Sequence, residues 1–211
     1  MCVATGLVGA CASSSGSTSN LSLPAGLRVH VDTVWYPVRG ATRRDWLASA
    51  RASAEVAGVP RPFIAHTSSS MRWSYASSQS TPRGCAARSP LIEVDVQYVI
   101  PQLHPDSTAS SDDLQEWERH TRALWRHEEG HAVRALRAGT ELRDSLLVLR
   151  TPTCAELSPA ITRATTQVLT RYRLRQVEYD ERTQHGVRQG VVLRMPGSRM
   201  PIDTTFRDTL P

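Results

Sequence analysis

The sequence contains no lysine, so all 25 basic residues of the 211-residue chain are arginine. These arginines are scattered and nowhere form a run of five. The net charge of +5 is therefore not concentrated in a basic patch of the kind that binds nucleic acid, and we expect no nucleic-acid partner. No apolar run is long enough to span a membrane, and no internal repeat indicates a solenoid. With 40% hydrophobic residues, the chain can bury one good core, which predicts a single domain with additional segments at its ends.

Cysteine is scarce, and only Cys85 and Cys154 lie in the body of the chain. Neither belongs to a C-x-x-C pair, so we expect no cysteine-based metal site. In an oxidising compartment the two would pair and close a loop of 154 − 85 = 69 residues, worth about 4 kcal/mol in the chain-entropy model. We predict this disulfide, and two unrelated buried thiols in a cytosolic protein are the alternative.

The N-terminal residues indicate export. Residues 8–11 read Val-Gly-Ala-Cys and resemble a bacterial lipobox, in which Cys11 becomes the lipidated first residue. Residues 12–20 are rich in Ser, Gly and Thr, as expected of a flexible tether. No positive charge precedes Cys11, which departs from the usual signal peptide. We predict that residues 1–26 are signal and tether, and that the protein is periplasmic, anchored to the envelope as a lipoprotein, or secreted.

The next part of the chain has strand patterns and one short helix pattern. Strands are predicted over residues 27–38, 71–76 and 92–100. The last of these alternates strictly between apolar and polar side chains, which predicts one buried face, and Pro101 and Pro105 are expected to end it. Thr42 and Asp45 resemble a capping box at the start of a helix that runs to about Val56.

Residues 127–131 read His-Glu-Glu-Gly-His, the H-E-x-x-H pattern of zinc-dependent hydrolases. On a helix, His127 and His131 project from one face about one turn apart and can reach a single tetrahedral metal. Glu128 lies beside them, where its carboxylate can act on a metal-bound water without binding the metal. Flanking apolar positions recur at spacings of three and four, which predicts a helix over about 112–147 that Gly139 bends or interrupts.

A second long helix is predicted over about 158–184, with Gly186 as its C-cap. Together the elements predict an α+β domain over residues 27–190, in which a small antiparallel sheet packs against the two long helices. Residues 191–211 contain two prolines and a glycine within a few positions and are predicted to form a C-terminal tail.

A catalytic zinc site of this kind needs a third protein ligand and an open position for water. A histidine six residues after His131 would indicate a metzincin, but Arg137 stands there. Polar residues crowd the last turns of the second long helix, over residues 179–186, and we predict His185 as the third ligand. The carboxylate alternatives are Glu141, Asp144 and Glu156.

Two motifs carry a resemblance to a known family. Residues 127–131 and residues 179–186, Tyr-Asp-Glu-Arg-Thr-Gln-His-Gly, resemble the H-E-x-G-H and Tyr-Asp-x-x-Thr-x-His-Gly motifs of bacterial domains that are predicted to be secreted zinc-dependent proteases. The similarity runs from about Val29 to Gly190. It implies an exported α+β protein with a zincin-like metal site and Zn²⁺ as cofactor. The family's peptidase activity is itself inferred from the motif.

Each motif residue has an expected role. His127, His131 and His185 are neutral imidazole ligands, and Glu128 is the general base that later donates its proton to the leaving amine. Tyr179 is the predicted donor to the oxyanion, with packing of its ring beneath the site as the alternative.

Other polar residues near the motifs are expected to support the site or to face solvent. Asp180 or Glu181 either orients a ligand histidine or faces solvent, and Glu129 is expected to face solvent. The remaining histidines carry no spacing signal and are expected to be ordinary surface or core residues: His30, His66, His104 and His120.

The function that this pattern favours is a secreted or envelope-anchored zinc metallopeptidase of the HExxH type. In it, zinc-activated water attacks a peptide carbonyl with Glu128 as general base. The substrate is a peptide or protein, and cell-wall peptide crosslinks fit the same chemistry. The alternative is a non-catalytic zinc-containing envelope protein that binds a partner through the same cleft.

Overall fold

The computed structural model describes residues 23–76, 78–82 and 84–197. The lipobox at Cys11 and residues 198–211 of the predicted tail lie outside them. Within these ranges the chain forms five strands and three α-helices. Among the helices described, none combines the length and the apolar character that crossing a membrane requires.

Three strands form the main sheet: β1 (Leu27–Gly40), β2 (His66–Ser74) and β5 (Leu91–Pro105). The central strand β5 pairs parallel with β1 and antiparallel with β2. The sheet is therefore mixed, and the prediction of an antiparallel sheet is wrong for one of its two pairs. The chain between β1 and β5 is long enough to cross over through helix α1 (Arg43–Val56), which parallel pairing requires.

Two other short strands, β3 (Ser78–Thr81) and β4 (Gly84–Ala87), form a separate antiparallel hairpin. The predicted strand over 92–100 is present but continues through Pro101, which lies opposite Tyr36 of β1. Strand β2 pairs with β5 only as far as Val99. Beyond Val99, β1 is the one described strand that lies beside β5. A proline without an N–H is tolerated on such an edge.

The motif helix α2 spans Ser111–Val148 without a break. Ser110 caps it, accepting a hydrogen bond from the backbone N of Asp113. The sequence predicts that Gly139 bends or interrupts the helix, but α2 continues through it without interruption. A Cβ at this position would lie 2.6 Å from Cγ2 of Val94, so the glycine allows α2 to approach β5 closely.

Helix α3 (Leu157–Thr183) runs back along α2, since His131 contacts Gln176 and Glu141 pairs with Arg171. The helix ends close to where the sequence predicts. Gln184, rather than Gly186, is the C-cap, and it adopts a left-handed conformation with φ of 51°.

Two hydrophobic cores hold these elements together. The larger lies between the sheet, α2 and α3, and includes Ile92, Ile100 and Leu142. The smaller surrounds Trp46 of α1, which is fully buried and donates from Nε1 to the carbonyl of Gly40 at 2.7 Å. Burying such large apolar side chains is the main favourable term in the stability of the domain.

The disulfide predicted from the sequence is present. Cys85 on β4 is joined to Cys154, which begins the turn before α3, and their Cα atoms are 5.0 Å apart. Backbone hydrogen bonds between Cys85 and Thr151 reinforce the connection. The disulfide therefore attaches the hairpin to the segment that joins the two long helices.

Residues 190–194 belong to the predicted tail and its boundary, yet they are bonded to α2. We call them the C-terminal strap. Arg119 donates to the carbonyl oxygens of Gly190 and Val192, and Glu116 accepts from the backbone N of Arg194 at 2.8 Å. Burial opposes ionisation of Glu116, but its bonds with Arg119 and Arg194 outweigh burial and lower its pKa to about 2.

Replacing Cys85 and Cys154 together by serine should lower the free energy of unfolding by about 2–4 kcal/mol, because the disulfide closes a 69-residue loop in the unfolded chain. Urea unfolding of the variant and of the oxidised wild type measures the difference. Thiol counting under denaturing conditions is the companion measurement. Two reactive thiols at these positions in freshly isolated protein would contradict the disulfide.

Candidate metal site

A cleft of about 380 Å³ opens beside the middle of α2. His127, Glu128 and His131 line it from α2, and Asp180 and His185 line it from the end of α3. The other walls are mainly aliphatic and come from α1, from the chain before β2 and from the C-terminal strap. The two sequence motifs, about fifty residues apart, therefore meet at one cleft.

The two motif imidazoles converge on a third group, the carboxylate of Asp180. Nε2 of His127 and Nε2 of His131 are 3.3 Å apart. Oδ1 of Asp180 lies 3.3 Å from the first and 3.1 Å from the second. In a tetrahedral site with metal–ligand bonds of 2.0–2.1 Å, neighbouring ligand atoms are about 3.3–3.4 Å apart. The three atoms thus form a triangle of the size that three ligands of one zinc ion have.

A hydrogen bond to Gln176 orients the ring of His131. The backbone carbonyl of His131 can only accept a hydrogen bond, so the group of Gln176 that lies 3.1 Å from it is the amide nitrogen, which donates. Oε1 of Gln176 is then left to face Nδ1 of His131, at 2.7 Å. The proton of the neutral ring consequently lies on Nδ1, and the lone pair of Nε2 is directed at the triangle.

Gln189 orients His127 in the same way. The Tyr179 hydroxyl donates its single proton to the carbonyl of His127 at 3.1 Å and accepts from the Gln189 amide nitrogen at 3.0 Å. Oε1 of Gln189 then faces Nδ1 of His127 at 3.0 Å. Both imidazoles therefore present an unprotonated Nε2 to the same point, which is the arrangement that metal-binding histidines have.

Asp180 occupies the place that the sequence predicts for His185. The group formed by His127, His131 and Asp180 is the one cluster of metal-binding side chains found in the described part of the chain. His185 lies at the rim, with Nδ1 3.8 Å from Oδ1 of Asp180, 55% of its side chain exposed and its ring 5.0 Å from that of Phe63. His185 as third ligand stays a prediction, with Asp180 now the closer candidate.

The backbone explains this placement. Asp180 lies in the last turn of α3, four residues after Gln176, so both project from the same face towards α2. The helix ends at Thr183, and Gln184 and His185 both have positive φ, 51° and 50°. The chain therefore turns away before His185, which directs this side chain towards the mouth of the cleft.

Glu128 is buried beside the triangle with 4% of its surface exposed, and it is not part of the ligand cluster. Thr67 of β2 donates from Oγ1 to Oε2 of Glu128 at 2.7 Å. The edge strand of the sheet thus holds the carboxylate at the wall of the cleft. This position suits a proton acceptor next to a metal-bound water.

Tyr179 lies beneath the two imidazoles and is 1% exposed. Its ring stacks on that of His127, with centroids 5.1 Å apart, and meets the His131 ring edge-on at 5.0 Å. Its hydroxyl is bonded within the layer behind the site, which fits the packing alternative, while its role as an oxyanion donor stays a prediction. A Cβ at Gly130 would overlap this hydroxyl, so the glycine of the motif makes room for the tyrosine.

Asp180 makes the centre of the triangle favourable to positive charge. Burial opposes ionisation of Asp180, but an imidazole of His127 or His131 that carries a proton on Nε2 donates to this carboxylate, and these bonds outweigh burial and hold the pKa of the carboxyl well below its usual range. Burial likewise disfavours a charged His131, but the protonated ring donates from Nε2 to Asp180 and from Nδ1 to Gln176, and these bonds outweigh burial and raise its pKa. The lowered pKa of Asp180 and the raised pKa of His131 have the same meaning: a cation between these groups, either a proton or a metal ion, is stabilised.

Comparison with known families identifies the chain's relatives by sequence. The family DUF922, described as a bacterial protein of unknown function, matches residues 33–186 and so covers both motifs. The chain therefore belongs to this bacterial family of unknown function. The protease character expected from the motifs stays a prediction. Comparison with curated proteins and with solved structures gave no match.

If His127 and His131 bind zinc as predicted, replacing Gln176 or Gln189 by leucine should weaken the binding by about 10–100-fold, because the imidazole loses the acceptor that fixes its tautomer and ring orientation. Competition with a chromogenic chelator measures the affinity. Gln167→Leu, at an exposed position of α3, is the matched control and should bind like the wild type. Wild-type affinity in both test variants would mean that the imidazoles are held by other contacts.

Proposed function

We propose that this member of a bacterial family of unknown function is an exported zinc-dependent metallopeptidase. The observation that carries the proposal is the triangle formed by two Nε2 atoms and Oδ1 of Asp180, 3.1–3.3 Å apart, with buried Glu128 beside it in an open cleft. A buried carboxylate outside the ligand group is what a hydrolytic site needs and a structural site does not.

The donor set fits zinc. Imidazole nitrogens and a carboxylate oxygen are common zinc ligands, and three protein ligands leave one position open for water. His127, His131 and Asp180 would hold the ion, with His185 as the alternative third ligand. Zinc bound there supplies a Lewis acid and a water molecule of lowered pKa.

Glu128 would move the protons of the reaction. Thr67 holds Oε2 of Glu128, so Oε1 is the oxygen that would accept a proton from the attacking water. The same carboxyl would then donate the proton to the nitrogen of the leaving amine. Gln176 and Gln189 would keep the two imidazoles in one tautomer throughout, since each offers an acceptor to Nδ1.

The surroundings of the site support a peptide as substrate. The cleft is open to solvent and mainly aliphatic beyond the polar groups, which suits an extended chain with apolar side chains. The disulfide supports export, because such bonds form in oxidising compartments. Cell-wall peptides fit these conditions as well as proteins do. The competing function is a zinc-containing envelope protein that binds a partner through this cleft without catalysis.

The ligand set can be tested by metal content. Asp180→Ala and His131→Ala should lose zinc to the same extent, because each removes one corner of the triangle. His185→Ala should keep its zinc, since its side chain lies at the rim. Elemental analysis after dialysis against a competing chelator gives the stoichiometry of each purified variant.

Glu178→Ala, at an exposed position of α3, is the matched control for loss of a carboxylate. Loss of zinc in His185→Ala with full zinc in Asp180→Ala would identify His185 as the third ligand, as the sequence alone predicts. Full zinc in His131→Ala would overturn the site.

Glu128→Gln should retain zinc and lower turnover by about 10²–10⁴-fold, the range expected for a lost general base. The amide has the shape of the carboxylate and still accepts from Thr67, but it cannot take up a proton. Cleavage of a diverse peptide library near neutral pH measures turnover, and metal analysis of the same samples measures zinc.

Glu129→Gln, next to it on the helix and outside the ligand group, is the control and should cleave like the wild type. Loss of zinc in Glu128→Gln would make Glu128 a ligand. A zinc-loaded wild type that cleaves no peptide would favour the non-catalytic alternative.

A further inference from the structure

A third histidine of α2 lines the same cleft as the two motif histidines. His120 lies seven residues before His127, which is two helical turns and about 10 Å along the axis. Only 3% of its surface is exposed. Its spacing matches no metal-binding pattern, so the sequence predicts an ordinary histidine here.

Neither ring nitrogen of His120 has a hydrogen-bond partner in the described part of the chain. The carbonyl of Val192, which accepts from Arg119, lies close enough to raise the pKa of His120 but not in hydrogen-bonding geometry with its ring. Burial, and then the charge of Arg119, lower the pKa of His120 to about 4. The ring is therefore neutral near pH 7 and offers one donor and one acceptor, both unsatisfied. Burying such groups without partners is costly, so the position calls for an explanation.

The surroundings of His120 are apolar. Its Trp117 neighbour has its ring 5.8 Å from the imidazole, and the cleft that His120 lines is otherwise mainly apolar, with Leu47, Leu124 and Leu193 among its walls and Arg51 as a charged residue. Beside a neutral imidazole and apolar side chains, a positively charged substrate side chain is disfavoured, since it would lose its hydration without a counter-charge. This end of the cleft accepts a bulky apolar side chain that carries one hydrogen-bonding group at its far end.

The C-terminal strap forms the wall next to His120. It has no helix or sheet pairing of its own in the described structure and is held to α2 mainly by Arg119 and Glu116. His120 lines the cleft, but its two ring nitrogens are covered. A ligand therefore reaches them only after the strap at Val192 and Leu193 shifts outward, and irregular backbone of this kind is the part of a wall that moves most readily.

We propose that this end of the cleft binds the substrate side chain next to the scissile bond, and that His120 selects tyrosine there. The aliphatic walls contact the aromatic ring, and the phenolic hydroxyl bonds to the imidazole of His120. Phenylalanine fills the same walls but leaves His120 unsatisfied, so it binds less well. This assignment of substrate class rests on the proposed peptidase function, but the pocket itself can be probed without catalysis.

The binding test compares N-acetyl-tyrosinamide with N-acetyl-phenylalaninamide on the full chain, with and without added zinc. The wild type should bind the tyrosine amide at least about tenfold more tightly, since a site built for a hydroxyl discriminates strongly against its absence. His120→Leu should lose this preference, whereas His120→Gln, which keeps a donor and an acceptor, should retain part of it. His104→Leu, at an exposed position of β5, should behave like the wild type. Nuclear magnetic resonance titration gives each dissociation constant.

The outcomes separate this inference from the proposed function. A tyrosine preference that depends on His120, in a protein that cleaves no peptide, supports the pocket and overturns the peptidase. Peptide cleavage without a tyrosine preference supports the peptidase and overturns the pocket. A wild type that binds the two amides equally, or binds neither, overturns the inference whatever the variants do. A preference that persists in His120→Leu also overturns it, because the hydroxyl then bonds elsewhere.

Discussion

The candidate site depends on the contact between Tyr179 of α3 and Gly130 of α2. The tyrosine occupies the space that a side chain at position 130 would fill, so the two helices approach closely at this point. Its ring packs against both motif imidazoles, and its hydroxyl bonds to the backbone of His127. With this spacing, Asp180 meets His127 and His131. A larger residue at 130 would separate the helices and open the triangle.

Behind the triangle lies a buried layer of neutral polar groups that Gln176, Gln189 and Tyr179 provide. Each amide has a bond that determines which of its ends faces the imidazole, so the proton positions on both rings follow from the network. A half-satisfied network would be costly in a buried region, whereas a satisfied one makes the geometry rigid. The site is thus prepared for a cation by fixed neighbours rather than by side chains that must reorganise. His120 is the exception, since it faces the same cleft without a partner.

Much of the fold follows from local patterns. The capping box at Thr42, the strict alternation over 92–100 and the apolar stripe of α2 each depend on neighbouring residues, and each element is present. The direction of β1 relative to β5 does not follow from such patterns, because both strands look alike whichever way they pair. Pro101 is a similar case. Whether a proline ends a strand depends on whether another strand lies beside it, and this is a property of the sheet.

For the site, the sequence by itself determined that His127, Glu128 and His131 share one region of a helix, because a spacing of four residues is built into helical geometry. It also determined that Cys85 and Cys154 had no other partner in the body of the chain. Only the tertiary structure decided that Asp180 meets the imidazoles while His185 lies at the rim. That choice depends on where α3 ends and how closely it packs on α2. The same holds for the roles of Gln176, Gln189 and His120. Their surroundings come from elements that are distant in sequence, so local patterns do not indicate these roles.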